Sequence, residues 1–334
     1  MSSSQTPTAM LSYPDRSTRL MLVGLFQVLL GGLCALFAAM MVAVSMMGPV
    51  AQAQQGQPMN RQAMVFGLVF YLPLAVGFTW VGMGLIRARR WAWTLTVVLS
   101  WMWLVIGVIG FAAFWLVMAS SSFRAVADQG KMPPGAVAGM QVFMGAFMGC
   151  FYVVLPGTLL LLCQRDSVRA TCERRDPKIP WTDRAPMPVL ALSLFLAFSA
   201  LSMVSLMGYG VMPILGFLIS GAAGKAVILL VALAQAGLAW GAYRLRPAAW
   251  WGTLAFLILA TLNAVIVLAT TGMMSMYEKM EMPADQLEII RKSGMVEWMA
   301  RWGPWMGLGG GIVWLGYLLY VRRYFIASGK ERAA

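Results

Sequence analysis

The thioethers are the side chains in this sequence best suited to chemistry. Twenty-eight of the 334 residues are methionine, and thioether sulfur is a soft ligand that suits Cu(I). Met140, Met144 and Met148 fall at i, i+4 and i+8, one face of a helix. Met273, Met274, Met276, Met280 and Met282 crowd a second short segment. Copper capture is the sharper reading of these two groups. The plainer one, flexible filling of apolar gaps, outweighs it, because spacing along one helix does not bring sulfurs from different helices to one point. No metal and no cofactor are therefore expected.

Other chemistry finds less footing. The chain has no histidine, so it lacks the commonest metal ligand and the usual general base. Ser45, Ser205 and Cys150 have no base nearby in sequence, and no Gly-rich phosphate loop or GxSxG elbow is present. Cys34, Cys150, Cys163 and Cys172 show no metal-ligand or disulfide spacing. The polar residues inside apolar runs are uncharged, chiefly Gln27, Gln141, Gln235 and Asn263. Such side chains hydrogen-bond between helices for about 1 kcal/mol or less. Ion-coupled transport normally shows an intramembrane ionisable residue, and these runs hold none.

These residues must be positioned by membrane helices. Apolar residues make up 60% of the chain and charged residues 11%, against about 45–50% and about 25% in soluble domains. Mean hydropathy is +0.75. Crossing roughly 30 Å of hydrocarbon takes about 20 apolar residues. Eight runs qualify: Leu20–Gly48, Gln62–Ile86, Trp91–Ser120, Ala138–Cys163, Val189–Tyr209, Gly224–Tyr243, Trp250–Met273 and Trp302–Val321. The fold class expected is an all-α membrane protein.

The net charge of +13 sits in short clusters beside these runs, which points to a bilayer and not to nucleic acid. With the N-terminus inside, 17 of the 25 Lys/Arg fall on the cytoplasmic side, so both termini are expected there. Trp91, Trp93, Trp250 and Trp251 then mark the inner interface, and Trp115, Trp302 and Trp305 the outer one. Ala51-Gln52-Ala53 looks like a signal-peptidase site, but the apolar run before it is too long for a signal peptide. Retention of the first span is expected.

Shifting the chain on itself by 157–160 residues aligns the two halves. Val44–Gly48 meets Val204–Gly208, and Arg87, Arg89 and Trp93 meet Arg244, Arg246 and Trp250. Gly145 and Gly149 meet Gly303 and Gly307, while Arg165, Glu173 and Arg174 meet Arg323, Glu331 and Arg332. Met132-Pro133 also has a counterpart in Met282-Pro283, before a slightly longer insertion. Four spans per unit make the repeats parallel. The expected organisation is a tail (1–19), a first four-helix repeat (20–165), a linker (166–188), a second repeat (189–323) and a second tail (324–334). Each GxxxG pair should let a neighbouring backbone approach closely, including between halves. Pro283–Lys292 reads as an amphipathic lid helix.

The connection between the repeats is the most polar stretch of the chain, from Arg165-Asp166-Ser167-Val168-Arg169 through Cys172-Glu173-Arg174-Arg175-Asp176-Pro177 to Trp181-Thr182-Asp183-Arg184. Running on through Ala185-Pro186-Met187-Pro188-Val189-Leu190, it resembles a segment of uncharacterised bacterial multi-span membrane proteins. The resemblance covers about 30 residues and implies a bacterial inner membrane, with no activity to carry over. Arg165–Arg175 should continue the fourth helix into the headgroups, where cations attract anionic lipid. Arg165, Arg169, Arg174, Arg175 and Trp181 are the candidate contacts for lipid or a protein partner. The function expected is a non-enzymatic scaffold or accessory subunit; the alternative is a small-solute or copper permease without buried charges.

Overall fold

The structure, a computed structural model, describes residues 14–55, 61–118, 134–280, 282, 287–288, 290–291 and 295–333. Eight helical stretches among them are long and apolar enough to cross a membrane, and the chain is a multi-pass α-helical membrane protein. The first four spans are α1 (Ser17–Gln55), α2 (Arg61–Ile86), α3 (Arg90–Met118), and α4 (Pro134–Gly149) continued through a π turn (Cys150–Val154) into α5 (Leu155–Cys163). A short helix, α6 (Asp166–Arg175), and a 3-10 turn (Trp181–Arg184) form the connection. The second four spans are α7 (Met187–Leu206), α8 (Gly221–Tyr243), α9 (Pro247–Thr270) and α11 (Met295–Ala333), with the short α10 (Met273–Lys279) before the last.

These helices are apolar on every side, as spans surrounded by hydrocarbon must be. Their outward faces expose Leu29, Phe143, Leu161, Leu233 and Ile312. The buried cores gather toward the end of the bundle that carries the basic turns. One contains Leu20, Val81, Leu85, Leu159 and Val168, the other Val189, Leu192, Ala242, Leu318 and Val321. In both halves the first span packs chiefly on the second and the third on the fourth. The halves meet where α7 lies against α2 and α3, with Phe70 and Phe198 edge to face at 5.8 Å.

The two Arg-x-Arg turns have the same geometry. Ala88 and Leu245 both take the left-handed conformation, at φ 50° and 52°. Ala88 N donates to Leu85 O at 2.8 Å and Arg89 N to Gly84 O at 2.9 Å. Leu245 N donates to Ala242 O at 2.8 Å and Arg246 N to Gly241 O at 3.0 Å. These are the paired bonds of a Schellman helix end. A Cβ on Gly84 would lie 2.6 Å from Ala92 Cβ, and one on Gly241 2.7 Å from Ala249 Cβ. Glycine at these positions lets the following helix start tight against the preceding one.

Several expectations need correction. Trp93 and Trp250 are not interfacial anchors: both are buried, and their indole N–H groups donate to Cys163 O and Leu318 O at 2.8 and 2.9 Å. An indole N–H this deep needs an acceptor. The fourth span does not run on through Arg175. Arg165 is extended (φ −68°, ψ 135°) and the chain turns there, because Val168 and Cys172 belong to the buried core. A β-hairpin also interrupts the all-helical pattern. Its strands β1 (Met212–Ile214) and β2 (Phe217–Ile219) are antiparallel. They are joined by Leu215 and Gly216, both at positive φ, the geometry of a two-residue type I′ turn.

The GxxxG glycines pack within their own halves. A Cβ on Gly145 would meet the Trp115 ring at 2.7 Å and one on Gly149 the Phe111 ring at 3.3 Å, both on α3. Gly303 and Gly307 face Leu268 and Val265 on α9. Met132-Pro133 and most of Pro283–Lys292 lie outside the described residues; Leu287, Glu288, Ile290 and Arg291 within it are helical.

Candidate functional site

Two features stand out, a folded platform at the basic end and a cavity within the second four spans. The platform is the stretch that sequence alone reads as a solvated cationic linker. Helix α6 has Asp166 in its first turn and Arg174 and Arg175 in its last, each favourably placed for the helix dipole. It ends at Asp176, as a residue before proline tends to. Val168, Thr171 and Cys172 form its buried face. Burial pushes the Cys172 thiol up to about 12, with the neighbouring Cys163 and acidic groups adding to it.

Three of the linker's acidic residues turn toward the start of α3, while Asp166 is exposed. Asp176 is buried, 3.5 Å from the Arg89 guanidinium, and accepts from Arg90 N at 3.4 Å. Asp183 holds Arg90 Nε at 2.7 Å and accepts from the Thr94 hydroxyl at 3.3 Å. Glu173 lies 2.9 Å from Arg169 and 3.8 Å from Arg90. Arg90, at the start of α3, is thus shared by two carboxylates of the linker. The N-terminal approach joins in through Arg16 N to Thr171 Oγ1 at 3.2 Å and Arg175 to Asp15 at 3.0 Å. The backbone N–H of Ser17 holds the Asp15 carboxyl below its ordinary range, with Arg175 helping. On the other side, the Tyr243 hydroxyl donates to Trp181 O at 2.9 Å and the Tyr317 hydroxyl to Pro188 O at 2.6 Å.

Turning the acids inward leaves a cationic outer surface. Arg165, Arg169, Arg174 and Arg175 are exposed there, with Ile179 73% and Trp181 36% exposed. Arg169 also reaches over the Trp93 ring at 5.9 Å, and Trp181 packs edge-on to Tyr243 at 6.2 Å. All five predicted contact residues are thus exposed on the folded linker stretch. The inward role of Asp176 and Asp183 was not anticipated, although two acids flanking a proline-rich break, opposite an Arg-rich turn, are a signal for it.

The cavity measures about 700 Å³, is open on one side and is lined by α7, α8, α9, α11 and β1. No lining residue is ionisable, and the polar ones are Ser199, Gln235, Thr253 and Asn263. Asn263 is occupied: its Oδ1 accepts from Leu215 N at 2.7 Å and its Nδ2 donates to Pro213 O at 3.2 Å. It thereby fastens the hairpin over one end of the cavity. Gln235 is 4% exposed, and its Oε1 has no hydrogen-bond partner. Gln27 spans helices, its Nε2 donating to Thr96 Oγ1 at 3.2 Å, while its Oε1 likewise has no partner. Gln141 sits half-buried on α4 and does not line the cavity.

The methionine groups occupy separate elements. Met140 and Met144 are exposed and Met148 half-buried on α4, which packs on α3. Met273, Met276 and Met280 are half-buried on and just after α10, which packs on α11. Among the described residues, no cluster of His, Cys, Asp or Glu could hold a metal ion. Ser205 is buried and donates to Ser202 O at 2.6 Å, within its own helix.

The chain matches no family model, no curated protein and no solved structure. Its class is set by the eight apolar spans: an integral, multi-pass membrane protein.

Proposed function

We propose that this chain is a non-enzymatic scaffold or accessory subunit of a bacterial cytoplasmic membrane, carrying a protein partner on its linker. The observation behind this reading is the folded state of residues 165–184. A stretch kept only for charge repulsion or loose lipid contact has no need of the ion pairs from Asp176 and Asp183 to Arg89 and Arg90. Held in one shape, it presents exposed Ile179 and Trp181 among arginines. An apolar centre with an Arg rim is the composition that protein interfaces favour.

The architecture proposed with it is duplication of a four-span unit, in parallel orientation. Its support is the equal geometry of the two Arg-x-Arg turns and the matching indole bonds of Trp93 and Trp250. Both termini are assigned to the cytoplasm by the excess of Lys/Arg on that side. Support comes from Asp15, Arg16 and the Arg89–Arg90 turn, all joined to the linker.

The test is affinity capture in mild detergent with the intact chain and with Ile179→Asp/Trp181→Ala. A defined partner retained by the first and lost from the second is expected. Equal capture by both, or none by either, overturns the docking assignment. A small-solute permease is the second reading, favoured by the cavity that Gln235 and Asn263 line. Solute flux through purified protein in liposomes would put it first.

A further inference from the structure

The polar end of Gln235 is one of two buried side-chain groups without a partner among the described residues of the second half, the Thr271 hydroxyl being the other. Its Oε1 is buried without a partner, and an unpaired amide oxygen out of water carries a desolvation cost. Evolutionarily cheap alternatives of the same length, such as Met, carry no such cost. Gln235 lines a cavity of about 700 Å³, inside the range of roughly 300–1,000 Å³ typical of small-molecule sites. The terminal amide torsion of Gln is broad and roughly two-fold, so a half-turn about it exchanges the oxygen and the nitrogen at the cavity wall. Ser199 and Thr253 share the lining. The Thr253 hydroxyl already donates to Ala249 O at 2.8 Å, which leaves its lone pairs to accept. The site can therefore both donate and accept, without charge.

The route in is set by depth. Gln235 stands nine residues from Arg244 on α8, about 14 Å along the helix. Among the lining residues, Leu230 on α8 and Leu259 on α9 are 66% and 65% exposed. Both lie within membrane spans, so the face they share opens on hydrocarbon. The hairpin held by Asn263 covers another side.

We propose that this cavity binds a neutral lipophile from the bilayer, an apolar body carrying one uncharged hydroxyl or carbonyl that bonds to Gln235. A charged headgroup does not suit it, since no lining residue could neutralise one. The bare chain of a phospholipid does not suit it either, because that would leave the Gln235 amide unpaired. The assignment stands apart from partner docking at the linker, which shares none of these residues.

The test uses the full chain in phosphatidylcholine nanodiscs with a diazirine-bearing long-chain alcohol as probe. Photolabelling is mapped by mass spectrometry and competed with unlabelled hexadecanol. Labelling is expected on residues 230–235 and 256–263, with saturable competition. Gln235→Met should lower that labelling by about tenfold, the scale of one lost hydrogen bond in a dry site. The matching diazirine alkane should label the same residues more weakly, and Gln235→Met should not lower that labelling. Ala260→Phe, which fills the cavity, should remove labelling by both probes; if that variant does not fold, hexadecanol competition serves in its place. Unsaturable labelling, labelling spread over lipid-facing residues, or an equal yield from Gln235→Met overturns the assignment. Equal competition by a fatty acid or by a phospholipid overturns it too, and leaves an ordinary chain-filled crevice.

Discussion

The indole nitrogen of Trp93 donates to the carbonyl of Cys163 at 2.8 Å, binding the start of the third span to the end of the fourth. Trp250 makes the same bond to Leu318, at 2.9 Å. An arginine lies over each ring, Arg169 at 5.9 Å and Arg322 at 5.3 Å. Just behind each tryptophan, a threonine (Thr96, Thr253) donates back to the alanine one turn earlier.

Replacing either tryptophan by phenylalanine should leave a buried carbonyl without that donor. The expected cost is about 0.5–1.5 kcal/mol, and it should be similar for Trp93→Phe and Trp250→Phe, since the two bonds are 2.8 and 2.9 Å long. Thermal unfolding in detergent, followed by intrinsic fluorescence, measures it. A large loss at one site and none at the other would contradict equal roles.

Gly24 and Gly82 face each other where α1 crosses α2, and a Cβ added to Gly82 would stand 2.6 Å from Gly24 O. Gly77, less than two turns away, has open space at the same position. Gly82→Ala should therefore lower stability by about 1–3 kcal/mol. Gly77→Ala should be neutral or slightly stabilising, by up to about 1 kcal/mol, through helix propensity. Melting temperatures of the two variants, side by side, decide it.

Arg90 anchors the linker through Asp183 at 2.7 Å and Glu173 at 3.8 Å. Asp183→Asn removes the charge from the shorter pair, and Arg90→Gln removes the shared cation. Both should loosen residues 165–184, Arg90→Gln more. Trypsin cleavage after Arg174, Arg175 and Arg184 should be faster in both variants than in the parent chain, with cleavage in the spans unchanged.

Cys172 should be a poor nucleophile despite its arginine-rich neighbourhood. Burial raises its thiol to about 12 from the ordinary value of 9.0. A variant that keeps only this cysteine should label with iodoacetamide at pH 8.5 many times faster after denaturation than before. The sign for stability follows. Above about pH 9 the unfolded chain ionises this thiol and the folded chain does not. Its contribution to stability is full below that pH and falls as pH rises toward 12.

The class of protein and the number of spans were legible in the sequence, because hydrocarbon demands long apolar runs whatever their packing. The turn at Arg87–Arg90 was legible for the same reason, as a basic break between two such runs. The interior was not. Nothing in the spacing of Trp93 and Trp250 distinguishes a lipid-facing anchor from a buried donor; the carbonyls of Cys163 and Leu318 decide that, and they are about 70 residues away in the chain. The linker's composition gave its charge but not its inward face, which depends on where Arg89 and Arg90 stand when α3 begins. Asn263 and Gln235 read alike as polar residues within apolar runs. Only the packing of α7, α8, α9 and the hairpin gave one of them two partners and left the other's oxygen with none. Burial from water is a local demand that each segment meets by its own composition, whereas the pairing of a polar group depends on which distant segment folds against it.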